Sequence, residues 1–198
     1  TMIAIIDYNA GNIASLVFAL KRLGQKCMVT NDPQVIRTAD KVIFPGQGRA
    51  KPAMEELQRT GLDKMIPTLT QPFLGICLGM QLLFEQSEED DTPCLGMLPG
   101  IVKRFQTDQP VPQMGWNNGY YFVHSYYVDP AARYTLYLHQ YGEVWFASMM
   151  AKDNFFGVQF HPEKSGSAGM RLLKQFCATG RLDPPQVIPA IDLLNGKC

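Results

Sequence analysis

Four short apolar runs, each closed by turn residues and followed by helix-like spacing, fill the first 84 of the 198 residues. That alternation limits the chain to a sheet with helices packed on its faces. Ile3-Ala-Ile-Ile6 ends at Asp7 and the turn-rich Tyr8-Asn-Ala-Gly11. Ile13, Leu16, Val17, Leu20 and Leu23 then recur with helical spacing, and Gly24 stands where a C-terminal cap belongs. Lys26–Thr30 reads as a second strand, and Asp32-Pro33 opens a short helix. Val42-Ile-Phe44 runs into Pro45-Gly-Gln-Gly48, ahead of a helix with Met54, Leu57 and Leu62 on its apolar face. Phe73-Leu-Gly-Ile76 is the fourth strand, with a helix over Leu78–Phe84 behind it. Strands separated by helices join in parallel. The expected fold class is therefore α/β, a single domain with a mostly parallel or mixed sheet flanked by helices.

From about residue 100 the rhythm changes. Ile101–Phe105, Tyr120–Val128, Arg133–His139, Val144–Met150 and Phe155–Phe160 read as strands with little helix between them, and Ala168–Phe176 is the last periodic helix. Residues 87–100 read as a polar loop punctuated by Pro and Gly. The domain is expected to span residues 1–178, with 179–198 a poorly ordered tail. Eighteen basic and eighteen acidic residues leave no net charge and no basic cluster, which argues against a polyanion binder. Five cysteines without a Cys-x-x-Cys pair, and only three histidines, fit neither a disulfide scaffold nor a zinc finger. The longest apolar stretch, Phe73–Phe84, is too short to span a bilayer, and no signal peptide is read. A reduced, cytoplasmic setting is the expectation, with no metal.

Gly75-Ile-Cys77-Leu-Gly79-Met-Gln81 places a cysteine where an apolar strand gives way to a helix, with a glycine two residues to each side. This is the nucleophile-elbow arrangement with Cys in place of Ser. A helix N-terminus there would favour thiolate, and the Leu78 N–H would be free to meet an oxyanion. The plain alternative is a buried structural cysteine. Phe160-His161-Pro-Glu163 weighs against that alternative, because it sets an imidazole at a strand's end with a carboxylate two residues on. A base held by a carboxylate is what activates a thiol; alone, the same residues would read as a surface turn. His139 reads as structural, and His124 as a pocket residue without a nearby carboxylate. Pro45-Gly46-Gln47-Gly48 lacks the Lys-Ser/Thr of a phosphate loop and reads instead as a second backbone donor beside strand four. Gln81, one helical turn after Cys77, can reach a polar substrate near the sulfur.

These residues resemble a class I (triad) glutamine amidotransferase domain, whose fold is flavodoxin-like. Asp7-Tyr-Asn-Ala-Gly-Asn12, Gln113-Met-Gly-Trp-Asn117, Tyr121-Phe-Val-His-Ser-Tyr-Tyr127 and Gln159-Phe-His-Pro-Glu-Lys-Ser165 are similar, more narrowly, to the glutaminase subunits of imidazole glycerol phosphate synthase. The resemblance covers residues 2 to about 178. It implies that Cys77 attacks the carboxamide of L-glutamine, His161 protonates the departing ammonia, and Glu163 orients the base as a glutamyl thioester is hydrolysed. Amides of Gln47 and Leu78 would form the oxyanion hole, and Gly46, Gln81, Ser125 and Tyr126 would hold the glutamine. No cofactor is implied. The implied partner is a barrel cyclase subunit in a heterodimer, which uses the ammonia to make imidazole glycerol phosphate and an aminoimidazole carboxamide ribotide in histidine biosynthesis. Asn12, Trp116, Tyr121 and Lys164 match positions on or near its docking face.

Three departures from the family pattern stand out. The usual Pro-Gly-Val-Gly turn has Gln47 here. The segment between Asn117 and Asn118 is about ten or more residues short. Val187-Ile-Pro-Ala-Ile-Asp-Leu-Leu-Asn-Gly-Lys197 resembles the opening strand of a histidine-pathway barrel isomerase, in which the residue matching Asp192 is catalytic, although one strand cannot build that site. The competing readings are an amidotransferase subunit for another acceptor, a related γ-glutamyl hydrolase, and a catalytically silent docking subunit.

Overall fold

The computed structural model describes residues 1–185 except 12 and 130–132. Strand β1 (Met2–Ile6) buries Ile3 and Ile5 on one face and Ala4 and Ile6 on the other, as a strand covered on both sides must. Helix α1 (Ala14–Arg22) lays Leu16, Ala19 and Leu20 against the first face, and Gly24 at φ +70° turns the chain into β2 (Lys26–Thr30). Asp32 caps α2 (Pro33–Thr38) by accepting the Gln34 N–H at 2.8 Å. After β3 (Lys41–Phe44) come α3 (Ala50–Thr60) and α4 (Leu62–Met65), which pack with α2 on the second face. Gly61 at φ +74° separates that pair, so Leu62, expected on the α3 face, is buried from α4 instead.

β4 (Phe73–Ile76) leads into α5, which is shorter than expected: it covers Leu78–Gln81, and Phe84 opens a strand, β5 (Phe84–Ser87). The run Met80–Phe84 is buried on every side, and periodicity cannot tell strand from helix in such a run. The expected loop over 87–100 holds β6 (Thr92–Pro93) and the start of β7 (Leu98–Arg104). β8 (Gln113–Asn117) and β9 (Tyr120–His124) form a separate two-stranded ribbon, joined by Asn118 (φ +45°) and Gly119 (φ +83°). Asn-Gly is the pair that a tight hairpin turn demands, and it closes the segment that the sequence pattern marked as short. Ser125 breaks the expected Tyr120–Val128 strand, leaving β10 (Tyr126–Val128) to join the main sheet. β11 (Thr135–Tyr141), β12 (Val144–Lys152), β13 (Phe155–Val158) and α6 (Gly166–Thr179) complete the described chain.

The main sheet runs β2-β1-β3-β4-β13-β12-β10-β7-β5-β6, with β11 paired to β12 off that path. β2, β1, β3, β4 and β13 are mutually parallel, whereas β12 pairs antiparallel with β13, β10 and β11. The sheet is thus mixed, with β5 and β7 also parallel and β10 antiparallel to β7. α1 and α6 cover one face and α2, α3 and α4 the other. Past α6, Leu182 is buried and Asp183 accepts the Gln175 side-chain amide, so packing continues beyond the expected boundary at 178. The isomerase-like segment 187–197 lies outside the described residues. Among the described residues, no helix is long and apolar enough to cross a membrane.

Candidate active site

Cys77 follows β4 directly and stands at φ 54°, ψ −112°, a conformation that a residue with a Cβ holds only under constraint. Its N–H donates to Val158 O at 2.8 Å, and its carbonyl accepts the Gln81 N–H at 3.2 Å. The flanking glycines let backbones meet. A Cβ on Gly79 would lie 1.9 Å from the Phe44 carbonyl oxygen, and one on Gly75 would lie 2.9 Å from that of Gly79. With α5 only one turn long, the helix-dipole assistance expected for the thiolate is small.

β13 lies parallel to β4 with Val158 opposite Ile76, so the chain leaving β13 delivers Gln159 and His161 beside Cys77. His161 is pinned from three sides. Its N–H donates to Tyr121 O at 2.9 Å, and the Ser165 hydroxyl donates to its carbonyl at 2.6 Å while accepting the Tyr121 N–H at 2.9 Å. Its Nδ1 meets Glu163 Oε1 at 2.9 Å, and its buried Nε2 has no hydrogen-bond partner. Burial alone would push the imidazolium down. The Cys77 sulfur and the Glu163 carboxylate outweigh it and raise the group to about 10. With Nδ1 committed to Glu163, the second ring nitrogen is the one left to serve the sulfur.

Cys77 opens onto a cleft of about 380 Å³, a size suited to an amino acid. Gln81, Ser125 and Tyr126 line it with Cys77, and so does Glu89. Glu89 Oε2 accepts the Ala50 N–H at 2.8 Å, and burial raises its carboxyl above the usual range. A fixed carboxylate facing the cleft is a partner for an ammonium group. Sequence reasoning missed it because Glu89 sits in an acidic stretch, Glu88-Glu-Asp-Asp91, that reads as solvated loop. His124 also lines the cleft; burial pushes it down to about 4, so it is neutral, with Nδ1 against Tyr126 O at 2.7 Å.

The class-I glutamine amidotransferase family matches residues 4–179 of the chain. The chain is 47% identical over 193 residues to the imidazole glycerol phosphate synthase subunit HisH of Bacteroides fragilis strain YCH46, with 88% of this chain and 97% of that protein covered. It is 47% identical over 194 residues to HisH 2 of Legionella pneumophila strain Philadelphia 1, covering 88% and 96%. The chain belongs to the class I glutamine amidotransferases, in their HisH branch. Solved structures of the wider family carry the same fold at low identity. A glutamine amidotransferase crystal structure superposes with a TM-score of 0.71 at 16% identity, covering 88% of this chain and 98% of that one. A glutamine amidotransferase from Thermotoga maritima gives 0.59 at 17%, covering 90% and 81%.

Against the family pattern, two expected residues are placed differently. The Gln47 N–H, expected as an oxyanion donor, is committed to Ala10 O at 3.2 Å, although the Gln47 residue does line the cleft. Gly46, expected to touch the glutamine, is buried behind the lining: a Cβ there would lie 2.3 Å from the Tyr8 hydroxyl and 3.0 Å from Gly79 N. Leu78, the other residue expected to supply an oxyanion donor, lines the cleft beside Cys77. Of the expected docking residues, Trp116 is 63% exposed with its ring 6.0 Å from that of Tyr121, whose backbone clamps His161. Lys164 lines the same cleft, and Asn12 lies outside the described residues. His139 is buried in the aromatic core with Nδ1 2.7 Å from the Ser148 hydroxyl, in keeping with its structural reading. Among the described residues no group of three or more His, Cys, Asp or Glu side chains is arranged to hold a metal.

Proposed function

We propose that this chain hydrolyses L-glutamine with Cys77, His161 and Glu163 and passes the ammonia to a barrel cyclase subunit of imidazole glycerol phosphate synthase, in the cytoplasm. The observation that carries the reading is the meeting, at the ends of two neighbouring parallel strands, of a constrained cysteine and a carboxylate-held imidazole. The Cys77 sulfur attacks the carboxamide carbon, and the carbonyl electrons move to oxygen, where the Leu78 N–H meets them. His161 Nε2 gives its proton to the leaving nitrogen, the C–N bond breaks, and ammonia departs from a glutamyl thioester. The now neutral imidazole takes a proton from water as that water attacks the thioester, releasing glutamate and the thiolate.

Two further roles fit this course. The Glu89 carboxylate suits the α-ammonium of glutamine, at the far side of the substrate from the reacting amide. Gln47 joins the oxyanion hole only after its peptide turns away from Ala10, which makes that turn a step separate from substrate binding. Ammonia released to water is protonated and lost as a nucleophile, so a partner must close the mouth; Trp116, Tyr121 and Lys164 are the residues proposed to meet it. Cys77→Ala should abolish glutamine-dependent synthesis by the two-subunit enzyme while cyclisation fed by ammonium salts continues. Parallel loss of both rates would overturn the division of roles.

A further inference from the structure

The Cys77 sulfur has two polar neighbours of opposite character. On one side Val123 O lies 3.7 Å away, an acceptor that only a protonated thiol can satisfy. On the other, Gln159 Nε2 lies 3.6 Å away, a donor that a thiolate accepts more strongly than a thiol does. Which end of the Gln159 carboxamide faces sulfur is set by a chain of partners. Tyr126 O can only accept, so it takes Nε2 of Gln81 at 2.9 Å. The same nitrogen donates to Gln159 Oε1 at 2.9 Å, which turns the Gln159 amino group toward Cys77. Gln159 is fully buried, and its backbone N–H is fixed to Ser148 O at 2.9 Å.

We propose that Gln159 is a positioning residue for the nucleophile, its side-chain N–H holding the Cys77 sulfur and favouring the thiolate, with Gln81 and the Tyr126 carbonyl fixing its polarity. The inference rests on the glutaminase reading and supplies what the one-turn helix α5 does not. The register of the sheet puts Gln159 there: it follows Val158, the partner of Ile76, just as Cys77 follows Ile76. Without the donor, Val123 O remains and the thiol form gains.

The test is site-resolved alkylation of the full-length chain by iodoacetamide from pH 5 to 10, read by mass spectrometry of the Cys77 peptide, for wild type, Gln159→Met and Gln159→Glu. Gln159→Met keeps the length of the side chain and removes the donor; Gln159→Glu keeps an acceptor for Gln81 and turns an oxygen toward sulfur. The labelling midpoint should rise by about one pH unit in the first, a tenfold loss of thiolate at a fixed lower pH, and further in the second. The deficit in glutaminase kcat/KM should narrow as pH rises, which a merely structural defect would not do. In the wild type, the Gln159 side-chain amide resonances should move with the Cys77 midpoint and on its alkylation, a readout that needs no variant. Coincident midpoints, or amide resonances indifferent to Cys77, overturn the proposal. Failure of glutamine to protect wild-type Cys77 would instead overturn the glutaminase reading beneath it.

Discussion

Gly79→Ala separates a steric requirement from a conformational one. Gly79 sits two residues past Cys77 in a negative-φ helix, so alanine is welcome there by propensity. Its Cβ, however, would stand 1.9 Å from the Phe44 carbonyl oxygen, where β3 ends and the Pro45–Gly48 turn begins. Normal contact requires the two backbones to part by about 1 Å or more, and neither is a flexible side-chain end. Overpacking costs about 1–3 kcal/mol when side chains can adjust, and a backbone clash belongs at the top of that range. About 3 kcal/mol corresponds to a fall in Tm of about 6–12 °C for a domain of this size. Gly24→Ala is the control: its φ of +70° disfavours alanine, but nothing lies within 4 Å of the new Cβ. It should cost about 1 kcal/mol, or about 2–4 °C. Thermal and urea unfolding of both variants give the comparison. If Gly79→Ala melts within about 2 °C of wild type, or above Gly24→Ala, the close approach does not hold the elbow.

Glu163→Gln should lower glutaminase kcat/KM by about 10²–10⁴-fold. The neutral amide either faces Nδ1 with its amino group, enforcing the wrong tautomer, or leaves that group at the position of Oε2, which has no partner. The same change should alter stability against pH. His161 is raised from 6.5 to about 10, so its contribution is present in full below about pH 6.5 and is lost as pH rises through 10. In Glu163→Gln, urea titrations should find that loss smaller and complete at a lower pH; superimposable profiles would count against the pair. His124 and His139 carry the opposite sign. Both are lowered to about 4, so they stabilise the fold above pH 6.5 and cease to as pH falls through 4. His139→Gln should therefore flatten the drop in urea midpoint between pH 6.5 and 4.5, and an unchanged slope would contradict its burial as a neutral ring.

The parts of this structure that the sequence made legible are those that one stretch of chain specifies by itself. β1, β3 and β4 are apolar runs bounded by turn residues, and α2 carries its own Asp32-Pro33 start. Cys77 and the His161-Pro-Glu163 pair were legible because each motif holds its chemistry within a few residues. What failed depended on distant partners. Phe84 becomes a strand because it pairs with Leu98 of β7, not through any local preference. Gln159 acquires its contact with sulfur from the β4–β13 register, and Glu89 reaches the cleft because it accepts from the N-terminus of α3. The Gln47 amide is taken by Ala10, a loop-to-loop contact that no spacing in the chain announces.

The most direct check is covalent. A glutamine-analogue electrophile should label the intact chain at Cys77 and not at Cys27, Cys94 or Cys177, and free L-glutamine should protect that thiol in a saturable way. Cys27, Cys94 and Cys177 are each pushed up by burial and should stay unmodified near neutral pH. Labelling spread over those thiols, or Cys77 modified at a rate indifferent to glutamine, would contradict the assignment of this cleft as a glutaminase site.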